Sequence, residues 1–397
     1  MSELYTLPDG WEWKKLEKLA KLQNGFAFKS NLFVNEGLPI VRIKNIKNEK
    51  VLLDDVVYFN VEDYGKKLDS YQIKKNDILL AMSGATTGKI GLYDTDEISY
   101  LNQRVGLFRI ENSNLRSYLF YFLSTQIEKN LELSLGAAQP NLSTEQINNI
   151  ELPIPPLEEQ KRIVAKLDIL FKKIDKAIAL HQKNIDEVNV FMASVLNDVF
   201  LELEEKYEKK ELSNLVSKLG DGLHGTPKYD DNGEYYFING ANVKDNKIIV
   251  NQNTKKVNED EYNKYKKELN DRTIFVSING TIGNVGLYNN EKCILGKSAC
   301  YFNLLENIDK IYITYVLKNG DFQEYIEKNS TGATIKNVSL KTMRAYKIPL
   351  PPLPTQQKVV AYLDEISNKM EKIKNLQKEK MQSLKALKAS ILDQAFK

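Results

Sequence analysis

Between Val164 and Val199 the apolar residues recur at alternating intervals of three and four: Val164, Leu167, Phe171, Ile174, Ile178, Ile185, Val188, Met192, Val195 and Val199. His181 fills the one polar place in that series. Such spacing lays a single stripe along one face of a helix, and sustained for about five heptads it predicts a coiled-coil seam. The stretch that holds it, Leu157 to Leu219, contains no Pro or Gly and follows Pro155-Pro156, which stop any regular structure before it. Glu158 and Glu159 then sit in the first turn, where the helix dipole favours acid. A second run free of Pro and Gly goes from Thr355 to Lys397. Its seam is less regular: Leu363, Ile366, Met370, Ile373, then Gln377 and Lys380, then Leu384, Leu387 and Ile391. Helices of about 40 residues, rising ~1.5 Å per residue, would make a rod of about 60 Å, a spacer with a globular domain at each end.

Elsewhere the pattern changes. Short aliphatic and aromatic runs such as "DILLAM" (Asp77–Met82), "VGLFRI" (Val105–Ile110) and "TIFVSI" (Thr273–Ile278) are separated by Gly, Asn and Asp turns. They predict strands of a mixed or mainly β domain, with a few helices such as one around Tyr118–Leu133.

The chain says nearly everything twice. Gly136–Asp168 aligns with Gly332–Asp364 without a gap at an offset of 196, with thirteen of 33 positions identical, including Asn141/Asn337, Ser143/Ser339, Gln160/Gln356 and Asp168/Asp364. "SGATTGKIGLY" (Ser83–Tyr93) answers to "NGTIGNVGLY" (Asn279–Tyr288), "PIVRIKNI" (Pro39–Ile46) to "YFINGANV" (Tyr236–Val243), and "WKKLEKL" (Trp13–Leu19) to "KKELSNL" (Lys209–Leu215). A period this long is domain duplication, not a solenoid. His181 and Gln377 are equivalent across it, and antiparallel pairing would bring them together as a register-setting polar pair. The reading is an α+β chain: globular domains at 1–157 and 207–353, long helices at 158–206 and 354–397, and a pseudo-twofold internal repeat.

Composition narrows the function. Two cysteines, Cys293 and Cys300, exclude a disulfide framework and suit a reducing cytoplasm. No apolar run approaches the ~20 residues of a membrane helix, and the N-terminal stretch has no signal-peptide pattern. Two distant histidines, His181 and His224, make no zinc site. A net charge of +3 leaves nucleic-acid binding to local clustering. "GATTGK" (Gly84–Lys89) is one residue short of a phosphate loop and has Ile90 where Ser or Thr is required, so it reads as a glycine-rich turn. Glu259, Asp260 and Glu261 read as a solvated acidic run. No nucleophile elbow and no Asn/Asp-Pro-Pro-aromatic sequence is present, which favours binding over catalysis.

Candidate binding residues lie on turn-rich segments that interleave polar, basic and aromatic side chains. In the first domain these are Lys29, Ser83, Thr86, Lys89, Asn102, Gln103 and Arg104; in the second, His224, Thr226, Lys228, Asn279, Thr281, Lys297 and Ser298. Such side chains can read base edges or hold phosphates. The turn glycines match between the copies while their polar neighbours differ, as in Asn102-Gln103-Arg104 against Gly296-Lys297-Ser298. One frame with two polar surfaces suits two readers of two targets.

Over its full length the chain resembles the DNA-specificity subunits of type I restriction-modification systems. The likeness rests on "LPDGWEWKKL" (Leu7–Leu16), the "SGATTGKIGLY" turn, "GAAQPNLSTEQINNIELPIPPLEEQKRIVAKLD" and "GATIKNVSLKTMRAYKIPLPPLPTQQKVVAYLD". It implies two target recognition domains reading the halves of a split site in double-stranded DNA, set apart by an antiparallel coiled coil. It also implies two adenine-methyltransferase subunits and ATP-driven restriction/translocase subunits, with AdoMet, ATP and Mg on those partners, no cofactor or metal here and no membrane. The rival expectations are a stand-alone DNA enzyme and a coiled-coil assembly protein with protein-binding ends.

Overall fold

The computed structural model describes residues 6–65, 68–134, 141–332 and 334–396. Gly136, which opens the ungapped repeat, lies outside them. The chain passes from each Pro-Pro pair directly into a long helix, Leu157–Lys206 of 50 residues and Leu353–Gln394 of 42. Between and before the helices stand the short strands that the apolar runs predict.

The chain divides into two units, 1–180 with 379–397 and 181–378. In the first unit, Leu22–Asn24, Val105–Phe108, Ile78–Ala81, Ile90–Leu92, Glu49–Val51 and Ile46–Lys47 form one sheet in that order. Val57–Phe59, Leu38–Val41, Ser99–Leu101 and Gln72–Ile73 form another. Both Ile78–Ala81 and Val105–Phe108 are buried at every position, so they read as continuous apolar runs without alternation. The helix expected around Tyr118–Leu133 is split into Ser113–Thr125 and Ile127–Ser134.

In the second unit, Val216–Asp221, Ala299–Leu304, Thr273–Ser277 and Val285–Leu287 make the main sheet. Lys256–Val257, Tyr235–Ile238 and Cys293–Leu295 make a smaller one. Each unit has a two-stranded clasp beside its long-helix start: Glu12–Lys15 with Glu151–Ile154, and Lys209–Glu211 with Lys347–Pro349.

That second clasp explains where the first helix stops. Leu157 to Leu219 holds no breaker, yet the helix ends at Lys206, because Lys209–Glu211 is taken up as a strand by Lys347–Pro349. Tertiary pairing decides the end; local propensity does not.

Equivalent side chains fasten the globular part to the long helix in both units. Tyr118 and Tyr312 each donate a hydroxyl hydrogen bond at 2.6 Å, to the carbonyls of Pro153 and Pro349. Gln160 and Gln356 donate to the carbonyls of Pro155 and Pro351 at 2.9 and 2.8 Å. Tyr121 and Tyr315 donate to Asp168 and Asp364 at 2.5 and 2.6 Å. Burial first, then these aspartates, push both tyrosine hydroxyls well above their ordinary pKa.

The helices pair antiparallel within each unit. In the first, Val164, Leu167, Phe171 and Ile174 share a core with Leu392 and Phe396, flanked by Ile178, Leu384 and Ile391. Phe396 packs edge-on against Tyr118 and Phe122. In the second, Phe200, Leu203 and Leu363 are buried together, flanked by Val195, Val199, Val359 and Val360. Each fully buried side chain of this size contributes about 1.5–3 kcal/mol. His181 Nδ1 lies 2.5 Å from Gln377 Oε1, and Asn184 donates to the same oxygen at 3.4 Å.

Along the first seam Val188 is buried, and Ile178, Ile185, Met192, Val195 and Val199 are half-buried. The second helix departs from the expected seam. Leu363 is buried and Ile366, Met370, Gln377, Leu384 and Ile391 are half-buried, but Ile373 is 37% and Leu387 49% exposed. After Gln377 the next inward residue is Met381, not Lys380, and Lys388 turns inward in place of Leu387. One extra step of four shifts the stripe by a residue, a stutter that offsets the drift between a 3.5-residue seam and a 3.6-residue helix. Lys388 tolerates the inward place because its ammonium caps the Phe171 ring at 4.9 Å and pairs with Glu49 at 3.1 Å and Asp175 at 3.2 Å.

Candidate nucleic-acid interface

The candidate segments become neighbours through the sheet. In the first unit the residue after Ile78–Ala81, Met82, donates its backbone N–H to Arg104 and accepts from Leu142. Ser83 then bridges to Asn141, and Phe26 bridges to Asn102. Four segments, around Asn24, Ser83, Asn102 and Asn141, are therefore stitched side by side. The second unit repeats the stitching: Ile278 donates to Ser298 and accepts from Val338, Asn279 bridges to Asn337, and Leu223 to Gly296.

Glycine makes the closest approach possible. A Cβ on Gly25 would stand 2.1 Å from the carbonyl of Asn102, and one on Gly222 would stand 2.0 Å from that of Leu295. No side chain fits either position.

"GATTGK" is a turn between antiparallel strands. Gly84 and Gly88 take φ of 81° and 84°, and Ile78–Leu80 pairs with Ile90–Leu92 around them. Among the described residues, Ser83 Oγ and Thr86 Oγ1 are shielded from solvent without a hydrogen-bond partner. Lys89, Gln103 and Arg104 are exposed, and Asn102 is half-buried, its Oδ1 accepting from the Arg104 N–H. Lys29 stands apart on another loop, its backbone N–H donated to the Tyr64 hydroxyl.

The second unit gathers His224, Asn279 and Lys297 around one open cleft of 540 Å³. Asp221, Asn337 and Ser339 complete its polar lining. His224 Nε2 meets Asp221 Oδ2 at 2.7 Å, and Asn279 Nδ2 donates to Asn337 Oδ1 at 3.2 Å. Ser298 is turned away, its hydroxyl accepting from the Gly240 N–H. Thr226, Lys228 and Thr281 are exposed and do not line the cleft. The Lys228 N–H reaches Glu261 Oε2 at 3.1 Å, which corrects the reading of Glu261 as solvated: it is 8% exposed, while Glu259 and Asp260 face water. A carboxylate with a backbone donor to satisfy it can be buried where one without cannot.

The candidate residues leave out Asp221, Asn337 and their first-unit counterparts Asn24 and Asn141, although Asn24 and Asp221 open two of the polar turn segments, "NGFAFKS" (Asn24–Ser30) and "DGLHGTPKY" (Asp221–Tyr229). Asn24 and Asp221 are equivalent because each faces the same register position of the neighbouring strand, Gly106 and Cys300. Asn24 Nδ2 donates to Thr144 Oγ1 at 2.9 Å. The other pair carried a signal of its own, since Asn141 and Asn337 are identical across the repeat.

No helix of the described residues is long and apolar enough to cross a membrane. The StySPI specificity subunit of Salmonella potsdam, a type I restriction enzyme subunit, is 26% identical over 420 aligned residues, covering 98% of this chain and 89% of its own. The MjaVIII specificity subunit of Methanocaldococcus jannaschii is 34% identical over 203 residues, 49% of this chain and 47% of that one, so the match spans about half of each. A solved chain described under the structural basis of complex assembly and conformational transition of the type I R-M system has the same fold, with a TM-score of 0.70 at 20% identity over 99% of both chains. The model of the type I restriction modification DNA specificity domain matches residues 8–190 and again 204–380, one match for each copy of the repeat. With that model matched twice and the stitched loops built twice, the chain belongs to the type I restriction modification DNA specificity family and carries two target recognition domains.

Proposed function

We propose that this chain is the non-catalytic recognition subunit of a type I restriction-modification complex. It binds double-stranded DNA at a bipartite target, one half-site per domain, and the paired long helices set the distance between the halves. It scaffolds two adenine-methyltransferase subunits and the restriction/translocase subunits, which carry AdoMet, ATP and Mg, and it works where the DNA is, in the cytoplasm.

One observation carries this reading: two copies of one backbone frame present different side chains at equivalent places. Asn24 stands against Asp221, Ser83 against Asn279, Gln103 against Lys297 and Arg104 against Ser298. Base edges are distinguished by donor and acceptor patterns, so two different sets on one frame suit two different half-sites.

The test is a domain exchange. Residues 207–353 are replaced with the corresponding domain of a relative, and methylated adenines are mapped in cells carrying the chimera with its methyltransferase. We expect one half of the methylated site to change and the other to stay. A change in both halves would refute two independent readers. DNA binding that weakens steeply with salt separates this reading from a protein-binding scaffold, because phosphate contacts release counterions. Methylation or cleavage by the purified chain alone would favour the stand-alone enzyme.

A further inference from the structure

We propose that Asp221 determines specificity in the second half-site, by accepting a hydrogen bond from the exocyclic amino group of a cytosine or adenine. The inference rests on the two-reader function proposed above and names the chemistry of one of its contacts.

Asp221 ends the strand Val216–Asp221, its backbone held in register opposite Cys300. The next residue, Gly222, is pressed against the Leu295 carbonyl and holds that strand end in place. The carboxylate points into the 540 Å³ cleft with Asn279, Lys297, Asn337 and Ser339 around it. Its side chain is 22% exposed, reachable from solvent but fixed, while the His224 ring that meets it is 73% exposed. An exposed ring on a short loop can swing aside into solvent and leave the carboxylate to another donor.

Charge makes this position informative. A carboxylate only accepts hydrogen bonds, and a DNA surface is lined with phosphate, so an aspartate there adds nothing to non-specific affinity. What it offers is discrimination. In the major groove cytosine N4 and adenine N6 are donors, whereas guanine O6 and thymine O4 are acceptors that an aspartate repels. Lys297, on the same cleft, supplies the positive charge that a phosphate beside that base requires. In the first unit Asn24 holds the equivalent position, and its amide both donates and accepts.

Methylated adenines should be mapped in cells carrying the methyltransferase with the wild-type chain, with Asp221→Asn, or with Asn24→Asp. Asp221→Asn should relax one position of the second half-site, a C or A in the wild-type pattern. Preference there should fall about tenfold, with the first half-site unchanged. Asn24→Asp should alter the first half-site only. Asp221→Asn with the wild-type pattern and full preference overturns the proposal, as does relaxation spread over both halves. Should Asp221→Asn methylate nothing, Asn24→Asp decides: a shift confined to the first half-site supports the proposal, and an unchanged pattern overturns it. A wild-type pattern that is not split into halves sinks the two-reader function itself, whatever Asp221 does.

Discussion

The two units agree where they hold their helices and disagree where they face outward. The Tyr–Asp, Tyr–Pro and Gln–Pro hydrogen bonds recur at equivalent residues with distances within 0.1 Å of each other. The outer lobes, built on the smaller sheets, share a strand frame, Leu38–Val41 between Val57–Phe59 and Ser99–Leu101 as Tyr235–Ile238 lies between Lys256–Val257 and Cys293–Leu295, but not their aromatic packing. In the first unit Phe26, Phe28, Phe59, Tyr64, Tyr71 and Tyr100 pack on one another through edge-to-face and tilted ring contacts. In the second, Tyr235 stacks on Tyr262 at 3.9 Å, and Lys255, Lys256 and Lys266 stand over Tyr229, Tyr236 and Tyr262. The first lobe buries its rings in a core of their own; the second pairs them with ammonium groups and leaves Tyr229 43% exposed. Duplication has thus kept the fastening and varied the surface.

The largest test of this comparison acts on what the units have in common. Deleting one heptad from each helix, Ile178–Asn184 together with Lys374–Lys380, removes the His181–Gln377 pair but keeps both stripes in phase. Each helix shortens by about 10 Å, close to three base-pair steps at ~3.4 Å. The unspecified spacer of the methylated site should shrink by up to that many base pairs while both half-sites keep their bases. An unchanged spacer from a folded, active mutant would show that the helices do not set it.

A smaller effect separates the units. Lys388 has Met192 as its equivalent in the other copy, so the lysine bridge belongs to the first unit alone. Lys388→Met should destabilise the first unit by about 1–2 kcal/mol, through loss of a half-buried ion pair and its contact with Phe171. Hydrogen exchange read separately in each unit checks this; equal loss of protection in both would contradict it. Burial pulls the Lys388 pKa down, but Glu49 and Asp175 push it up further, for a net rise above 10.5. A raised lysine contributes fully below its unfolded pKa and is lost as pH climbs through the folded one. The bridge should therefore hold across the neutral range and fail only in strong alkali.

The smallest effect should be the same twice. Tyr121→Phe and Tyr315→Phe each remove one hydrogen bond to an aspartate, costing about 1 kcal/mol. Thermal unfolding should register nearly equal losses, and a large inequality would mean that the shared fastening is shared in geometry only. Both hydroxyls titrate above 10.0 in the folded chain, so their contribution should disappear as pH rises beyond that value.

Much of this was legible in the residues themselves. The 3-4 spacing from Val164 to Val199 specifies a helix face because a helix returns a side chain to the same side every three or four positions. The repeat at an offset of 196 specifies two copies of whatever one copy builds. Runs such as Asp77–Met82 declare buried strands by lacking any polar alternation. Other features depend on partners that sequence spacing does not reveal. The first helix stops at Lys206, without a breaker, because a strand some 140 residues later in the chain claims Lys209–Glu211. Lys388 faces inward, and Leu387 outward, because Phe171, Glu49 and Asp175 are there to receive the lysine. Asp221 joins His224, Asn279 and Lys297 only because strand register lays four distant segments edge to edge. Periodicity is a local property and can be read along the chain; a site made of strand ends and turns is a property of register, which only the folded sheet sets.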